Sequence, residues 1–194
     1  MQIRLPKLLL AAALCALSTL VSGCKPANSQ GSEEAHAERR DELSQGAIAV
    51  LEPVAESGVA GMIRFVPVEG GVRVTGRVEG LTPGDHGFHV HEFGDLSDLA
   101  TGESAGGHFD ANGHEHGKPS ARERHTGDLG NITANEEGVA RIDTVDAIIA
   151  LHGEHSILGR SIVVHADADT FVQPTGGAGA RIAVGVIGIA QKPD

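Results

Sequence analysis

The spacing of the histidines constrains this chain more than any other feature. Two of them, His89 and His91, flank a single valine. Alternate residues of a β-strand share a face, so both imidazoles would point the same way. The next residues of the set lie in a glycine-rich stretch, which is typical of a loop that can wrap its side chains around an ion. The last histidine ends an apolar run that is typical of a returning strand. The set is His89, His91, His108, His116, His125, Asp128 and His165.

These spacings are suited to two metal ions that share one ligand. Imidazole and carboxylate are ligands that zinc accepts in a closed four-coordinate site, and imidazole also suits copper. A lone histidine is usually an ordinary core or surface residue, and histidine-rich loops often bind metal only weakly. The order of a strand pair, a glycine-rich loop and a returning strand is much harder to obtain by chance than the high histidine count alone.

From residue 46 onward the sequence predicts an all-β domain. Val72, Val74 and Val78 alternate with polar residues, which indicates a sheet with one face in water. Two long connections, Phe93–Asp128 and Ala166–Ala180, are expected to be functional loops. The pattern favours an eight-stranded Greek-key β-barrel or sandwich. The predicted strands are Ala47–Leu51, Ala60–Val68, Val72–Glu79, Gly87–Glu92, Leu129–Ala134, Val139–Thr144, Ser161–His165 and Arg181–Ile189.

The first 45 residues are predicted to lie outside this domain. Residues 1–23 have basic residues followed by an apolar run, which is typical of a secretory signal peptide. The cysteine that follows them completes a pattern similar to a bacterial lipobox. Cys24 would then be lipidated and become the mature N-terminus, and residues 24–45 would form a polar tether. Lys25 favours the outer membrane as the destination. The sequence therefore predicts a lipid-anchored protein of the bacterial cell envelope or periplasm, with its domain at residues 46–194.

Charge excludes one class of partner. The formal net charge is −11, and removal of the two basic residues in the leader, Arg4 and Lys7, brings the mature chain to −11 − 2 = −13. A chain this acidic with no basic stripe is not expected to bind nucleic acid.

The same stretches resemble the Cu/Zn superoxide dismutase family, with every spacing among the ligand positions intact from about Gly46 to Gln191. The matching segments are Gly87–Asp95, Ser104–Phe109, His116–Gly117, Arg124–Asn131, Val163–His165, Gly177–Arg181 and Gly185–Ala190.

The resemblance implies an enzyme that converts superoxide to dioxygen and hydrogen peroxide with one copper and one zinc per subunit, as an antioxidant defence in the cell envelope. Copper would be held by His89, His91, His108 and His165. Zinc would be held by His108, His116, His125 and Asp128. His108 would bridge the two ions and is expected to take up a proton during the catalytic cycle.

Two further roles follow from the resemblance. Asp169 would orient one copper histidine and one zinc histidine, with Asp167 as the nearby alternative. Arg181 would guide the anion to copper, since a guanidinium carries a permanent charge and a rigid fork of donors. His114 is an alternative zinc ligand next to His116, and the family spacing of eight residues from His108 selects His116.

The sequence departs from the family in two places. The intrachain disulfide of the family is absent, because its positions align with Gly102 and Val184. The loop from His165 to Arg181 is also shorter than in many eukaryotic relatives. The alternatives to an enzyme are a non-catalytic periplasmic copper- and zinc-binding module and, less favoured, a structural envelope lipoprotein. The oligomeric state stays open between a monomer and a homodimer.

Overall fold

The computed structural model describes residues 46–191, so the predicted leader, Cys24 and the tether lie outside the described residues. Nine strands follow one another along this part of the chain, with a single 3-10 turn at Glu103–Ala105 in the loop after the fourth. The strands are β1 (Ala47–Pro53), β2 (Ala60–Val68), β3 (Gly71–Glu79), β4 (Gly84–His91), β5 (Asp128–Ala134), β6 (Ala140–Asp146), β7 (Ser161–His165), β8 (Arg181–Val186) and β9 (Gly188–Ile189).

The strands form one antiparallel sheet that closes on itself. Their order is β2-β3-β6-β5-β4-β7-β8-β1-β9, and a further pairing of β2 with β1 completes a barrel of eight strands with β9 as a short addition. The connections from β3 to β4 and from β6 to β7 cross to non-neighbouring strands, which gives the Greek-key topology. The predicted all-β Greek-key barrel with two long loops is confirmed.

The prediction of the last strand is wrong in one respect, because this strand is interrupted at Ile187. The Ile187 side chain is fully buried, and its backbone bonds to the loop before β7 instead of to a strand: its N–H donates to the carbonyl of Arg160, and its carbonyl accepts from Gly159. The predicted strand Arg181–Ile189 is therefore divided into β8 and β9. The fourth strand also begins at Gly84, three residues earlier than predicted.

The barrel interior is filled by aliphatic side chains and a few phenylalanines. On β2 only Ile63 and Phe65 are buried, and on β3 the predicted valines Val72, Val74 and Val78 face inward. This alternation is the expected pattern of a sheet with one side in water. Among the described residues no helix is long and apolar enough to cross a membrane.

Strands β4 and β7 differ from the others because they are buried on both faces. All five residues of β7 and the last six of β4 are buried. Their inward residues, among them Phe88 and Ile162, belong to the barrel core, while the outward residues are covered by the two long loops. The strand alternation therefore places His89 and His91 on the outer face of the barrel, beneath those loops.

Candidate metal centre

Three pairings bring the histidines of β4 and β7 together with the long loop. In the β4–β7 ladder His89 lies opposite Val163, so the end of β7 runs close to the histidine pair. An isolated bridge between His91 and His108 draws the start of the glycine-rich loop onto β4. Across β7 and β8, His165 lies directly opposite Arg181. These pairings join residues up to 74 positions apart, because 163 − 89 = 74.

Two clusters of four ligand side chains result, and they share His108. In each cluster the ligand atoms lie within 4.8 Å of one another. The first cluster is His89, His91, His108 and His165, and the second is His108, His116, His125 and Asp128. These are the two sets predicted for copper and for zinc. His114 lies outside both clusters, and its Nδ1 is 3.3 Å from the carbonyl oxygen of Arg124.

The hydrogen bonds of the first cluster fix which ring nitrogen faces the centre. His91 Nδ1 is 2.9 Å from the Gly106 carbonyl, and His165 Nδ1 is 3.1 Å from the Gly179 carbonyl. Because a carbonyl oxygen only accepts, each Nδ1 must donate, which leaves a lone pair on each Nε2. These two Nε2 atoms face each other at 3.3 Å. Two lone pairs at this distance repel, and a cation between them removes the repulsion.

His89 uses the opposite tautomer to reach the same centre. Its Nε2 donates to Asp169 Oδ2 at 2.9 Å, so the bare nitrogen is Nδ1. That atom is buried and has no hydrogen-bond partner among the described residues. A buried polar atom without a partner is costly in free energy, and a metal ion that accepts its lone pair satisfies it. The first cluster therefore fits copper.

The second cluster surrounds a buried carboxylate. Asp128 Oδ1 lies 2.8 Å from His108 Nδ1 and 3.3 Å from His125 Nδ1, and Asp128 Oδ2 lies 2.9 Å from His116 Nδ1. The Nε2 of His116 donates to Asp169 Oδ1 at 3.0 Å, so its Nδ1 is bare and faces the carboxylate without a hydrogen bond. Three imidazoles and one carboxylate are donor types that fit a closed four-coordinate zinc site.

Burial keeps three of these histidines in the neutral form that binds metal. It lowers the pKa of His108 to about 4 and that of His165 to about 3, and it also holds the pKa of His91 well below its usual value. For His116 burial acts in the same direction, but the neighbouring carboxylates of Asp128 and Asp169 outweigh it and raise the pKa.

The two carboxylates of the centre stay ionised. Burial alone would raise the pKa of Asp128, but the hydrogen bond from His108, the neighbouring ring of His116 and the hydrogen bond from the Gly117 N–H lower it well below its usual value. Burial likewise acts to raise the pKa of Asp169, but hydrogen bonds from His89 and His116 outweigh it and lower the pKa to about 2. An ionised carboxylate can only accept, which is what the Nε2–H groups of His89 and His116 require of Asp169.

Asp169 joins the two clusters by hydrogen bonds, whereas the alternative residue, Asp167, does not. One carboxylate oxygen accepts from His89 of the first cluster, and the other accepts from His116 of the second. Its own position is held by Asn131, which donates to its carbonyl at 2.9 Å and accepts its N–H at 2.7 Å. Asp167 is exposed and does not contact either histidine ring.

Arg181 lies at the mouth of the centre. Its guanidinium donates to the carbonyls of Gly102 and Gly106, the latter at 2.7 Å, and it lines a cavity of about 420 Å³ with His91, His108 and His165. A small anion entering this cavity meets the guanidinium and the first histidine cluster together.

Sequence reasoning missed three residues that hold the loop ligands. Gln173 donates to the carbonyl of His116 at 2.8 Å and accepts its N–H at 3.1 Å, and Asn131 fixes Asp169 as described above. Arg124 is fully buried, donates to the carbonyls of His125 and Thr126, and forms an ion pair with a carboxylate on β6. The sequence signal for Arg124 was its position directly before a ligand, although nothing local indicates its burial.

The positions that align with the family disulfide are occupied by apolar packing. Val184 is buried in a small cluster with Val54, Ala105 and Val163, which lies between the barrel and the loop of the 3-10 turn. Gly102 is in van der Waals reach of Arg181, since a Cβ there would meet its side chain at 3.2 Å. No cysteine occurs within residues 46–191. Packing and hydrogen bonds to Arg181 therefore hold this part of the loop.

Comparisons with known proteins agree with this geometry. Residues 59–187 match the sequence profile of the family described as copper/zinc superoxide dismutase. The chain is 43% identical over 156 residues to superoxide dismutase [Cu-Zn] 3 of Arabidopsis thaliana, covering 76% of this chain and 93% of that protein. It is 44% identical over 151 residues to superoxide dismutase [Cu-Zn] 2 of Mesembryanthemum crystallinum, covering 74% and 94%.

A solved structure shows the same architecture. The crystal structure of the clock protein EA4 superposes with a TM-score of 0.70 at 44% sequence identity, covering 76% of this chain and 96% of that one. The chain belongs to the copper/zinc superoxide dismutase family. This membership confirms the predicted enzyme class, superoxide dismutase, and the predicted metals, copper and zinc.

Proposed function

We propose that this chain dismutates superoxide with His89, His91, His108 and His165 as copper ligands and with His108, His116, His125 and Asp128 as zinc ligands. The observation that carries the assignment is the convergence of bare ring nitrogens in two clusters that share His108. Copper supplies the one-electron redox chemistry, while zinc has none and neutralises the buried carboxylate.

The protein's own residues orient the copper ligands and attract the anionic substrate. The carbonyls of Gly106 and Gly179 and the carboxylate of Asp169 fix the tautomers of the copper ligands. Among the described residues that line the cavity, Arg181 alone carries a permanent positive charge, so it attracts the anion and aligns it through its forked N–H donors. His108 lies between the two sets: its Nδ1 faces Asp128 at 2.8 Å, which leaves Nε2 as the bare nitrogen that can bind copper or take up a proton.

The test combines metal analysis with superoxide consumption by the purified protein. Arg181→Glu should retain copper and zinc but slow turnover by at least ~10-fold, because focused fields change association rates by 10–10³. Arg181→Lys should fall between the two, since it keeps the charge and loses the fork. The matched control is Arg122→Glu at an exposed site, which should change the rate little. A wild-type protein that binds both metals but shows no turnover above free copper would favour the non-catalytic metal-binding module.

The proposed location is the bacterial cell envelope, with leader residues 1–23 removed and the protein held at the outer membrane by lipid at Cys24. The support is the lipobox pattern and the polar segment 24–45 that separates it from the barrel. Cys24→Ser should abolish lipidation and leave the protein soluble or unprocessed. Unchanged membrane association of a correctly cleaved Cys24→Ser protein would contradict the anchor.

The proposed quaternary state is a homodimer formed through an uncharged apolar patch on the barrel. The patch consists of Val50, Phe93, Val186 and Ile189, with exposed fractions between 38% and 61%. Its strand residues are neighbours because β1 pairs with both β8 and β9. Two acidic copies meet with least repulsion through such a patch, in the self-complementary manner of a two-fold dimer.

Sedimentation velocity tests this association. The wild type should sediment as a dimer and Val50→Glu as a monomer, because a charge would be buried without a partner. Val145→Glu makes the same change at an exposed position on β6, a strand that does not pair with β1, and as the matched control it should stay dimeric. A monomeric wild type at all concentrations would exclude the dimer.

A further inference from the structure

The mouth of the metal centre contains an anion as well as a cation. Among the described residues that line the 420 Å³ cavity, the only acidic side chain is Glu103 and the only guanidinium is Arg181. Glu103 Oε2 lies 3.5 Å from Arg181 Nη2. The carboxylate is on the solvent side, since the Glu103 side chain is 72% exposed while that of Arg181 is 12% exposed.

The backbone keeps these two charges together. Glu103 opens the 3-10 turn Glu103–Ala105, and the glycines that flank this turn, Gly102 and Gly106, provide the two carbonyls that hold the Arg181 guanidinium. The turn that holds the Arg181 guanidinium therefore also fixes the position of the Glu103 Cα. Even when the Glu103 side chain changes rotamer, its charge stays within one side-chain length of the cavity mouth.

We propose that Glu103 attenuates anion attraction at this mouth and so sets the balance between superoxide capture and inhibition by other small anions. The inference rests on the proposed anion-guiding role of Arg181. A monoanion drawn toward the guanidinium is repelled by the carboxylate beside it, and the two fields largely cancel beyond a few ångströms. The carboxylate also lies 3.5 Å from Nη2, so an arriving anion competes with it for the guanidinium.

Attenuation affects reactive and unreactive anions differently. Superoxide is consumed once it reaches the centre, so a weaker field costs it only association rate. An unreactive anion inhibits in proportion to its affinity, so a weaker field lowers its occupancy of the site. Glu103 thus lowers the rate at which the enzyme captures superoxide and also lowers inhibition by competing anions.

The test is Glu103→Gln, which removes the charge and keeps the size of the side chain. At ~10 mM ionic strength, where screening extends over about 30 Å, kcat/KM per bound copper should rise about 2- to 5-fold. This is below the 10–10³ range of whole charged clefts because one exposed charge is removed. At ~1 M salt the two rates should converge. Azide affinity, measured from the visible spectrum of the copper protein, should tighten by a similar factor.

Two further variants complete the design. Glu103→Asp keeps the charge and should remain close to wild type in both rate and azide affinity. Glu136→Gln makes the same change in the exposed turn between β5 and β6, at the end of β5 away from Asp128, and should change neither quantity.

The outcomes separate this inference from the function on which it rests. Glu103→Gln and Arg181→Ala should shift the rate in opposite directions. An equal or lower rate in Glu103→Gln, with unchanged azide affinity, overturns the attenuation even if Arg181→Ala is slow. An Arg181→Ala protein as fast as wild type overturns the guiding role itself, and the attenuation with it.

Discussion

Replacement of Asp169 by asparagine should weaken metal binding although the side chain keeps its size and burial. The ionised carboxylate accepts from His89 Nε2 at 2.9 Å and from His116 Nε2 at 3.0 Å, so both rings present a bare Nδ1 to their metal clusters. An amide has one acceptor oxygen and one donor nitrogen, so the substituted side chain cannot accept from both rings in the same way. One ring must either lose its hydrogen bond or change tautomer, which places a hydrogen on the metal-facing atom.

The expected loss can be estimated from the role of such partners. Removing a hydrogen-bond partner of a ligating histidine typically lowers metal affinity by about 10- to 100-fold, or about 1.4–2.7 kcal/mol. Metal that binds only the folded state contributes to folding free energy, so a 100-fold loss at fixed metal concentration removes up to about 2.7 kcal/mol of stability. For a domain of this size, about 2–4 °C per kcal/mol gives a decrease in Tm of roughly 5–11 °C.

The assay is competitive titration with chelators for copper and zinc separately, followed by thermal unfolding of the loaded and metal-free proteins. Asp167→Asn is the matched control, because it makes the same change at an exposed neighbour. Metal-free Asp169→Asn should unfold close to the metal-free wild type, since the loss lies in the binding energy. If both metal affinities stay within about twofold of wild type, well short of the 10-fold expected, the reasoning about tautomers is refuted.

Three other perturbations test the same centre. His108→Ala should damage both sites, whereas His165→Ala should abolish activity and spare zinc; full occupancy of both metals in His108→Ala, by metal analysis, would exclude the shared ligand. Because the predicted mature chain contains no pair of cysteines, reductant should leave the Tm unchanged and a chelator should lower it strongly; a large decrease with reductant in calorimetry would contradict this. Arg124→Met leaves the buried Asp146 without its cation and should destabilise the protein by about 3 kcal/mol in urea unfolding, unlike the exposed Arg122→Met; equal effects would exclude a structural role for the pair.

The sequence alone determined the strand pattern and the identity of the residues in the two clusters. Alternation on β3 and the His89-Val90-His91 pair follow from the two-residue period of a strand, which is a local property. The glycine-rich stretch before Asp128 likewise indicates a loop. These features depend only on residues that are close in the sequence, so the sequence alone is enough to predict them.

Tertiary structure decided how the ligands are aimed and held. The tautomers depend on carbonyls and carboxylates from distant loops, such as Gly179 for His165 and Asp169 for His89, and no local pattern specifies those contacts. The interruption at Ile187 arises because its backbone pairs with a different segment than the strand pattern predicts. The pairing of Glu103 with Arg181 joins residues that are 181 − 103 = 78 positions apart, and only barrel closure brings them together. Long-range sheet pairing and loop packing are set by the whole fold, which is why the chemistry of the mouth became visible only in three dimensions.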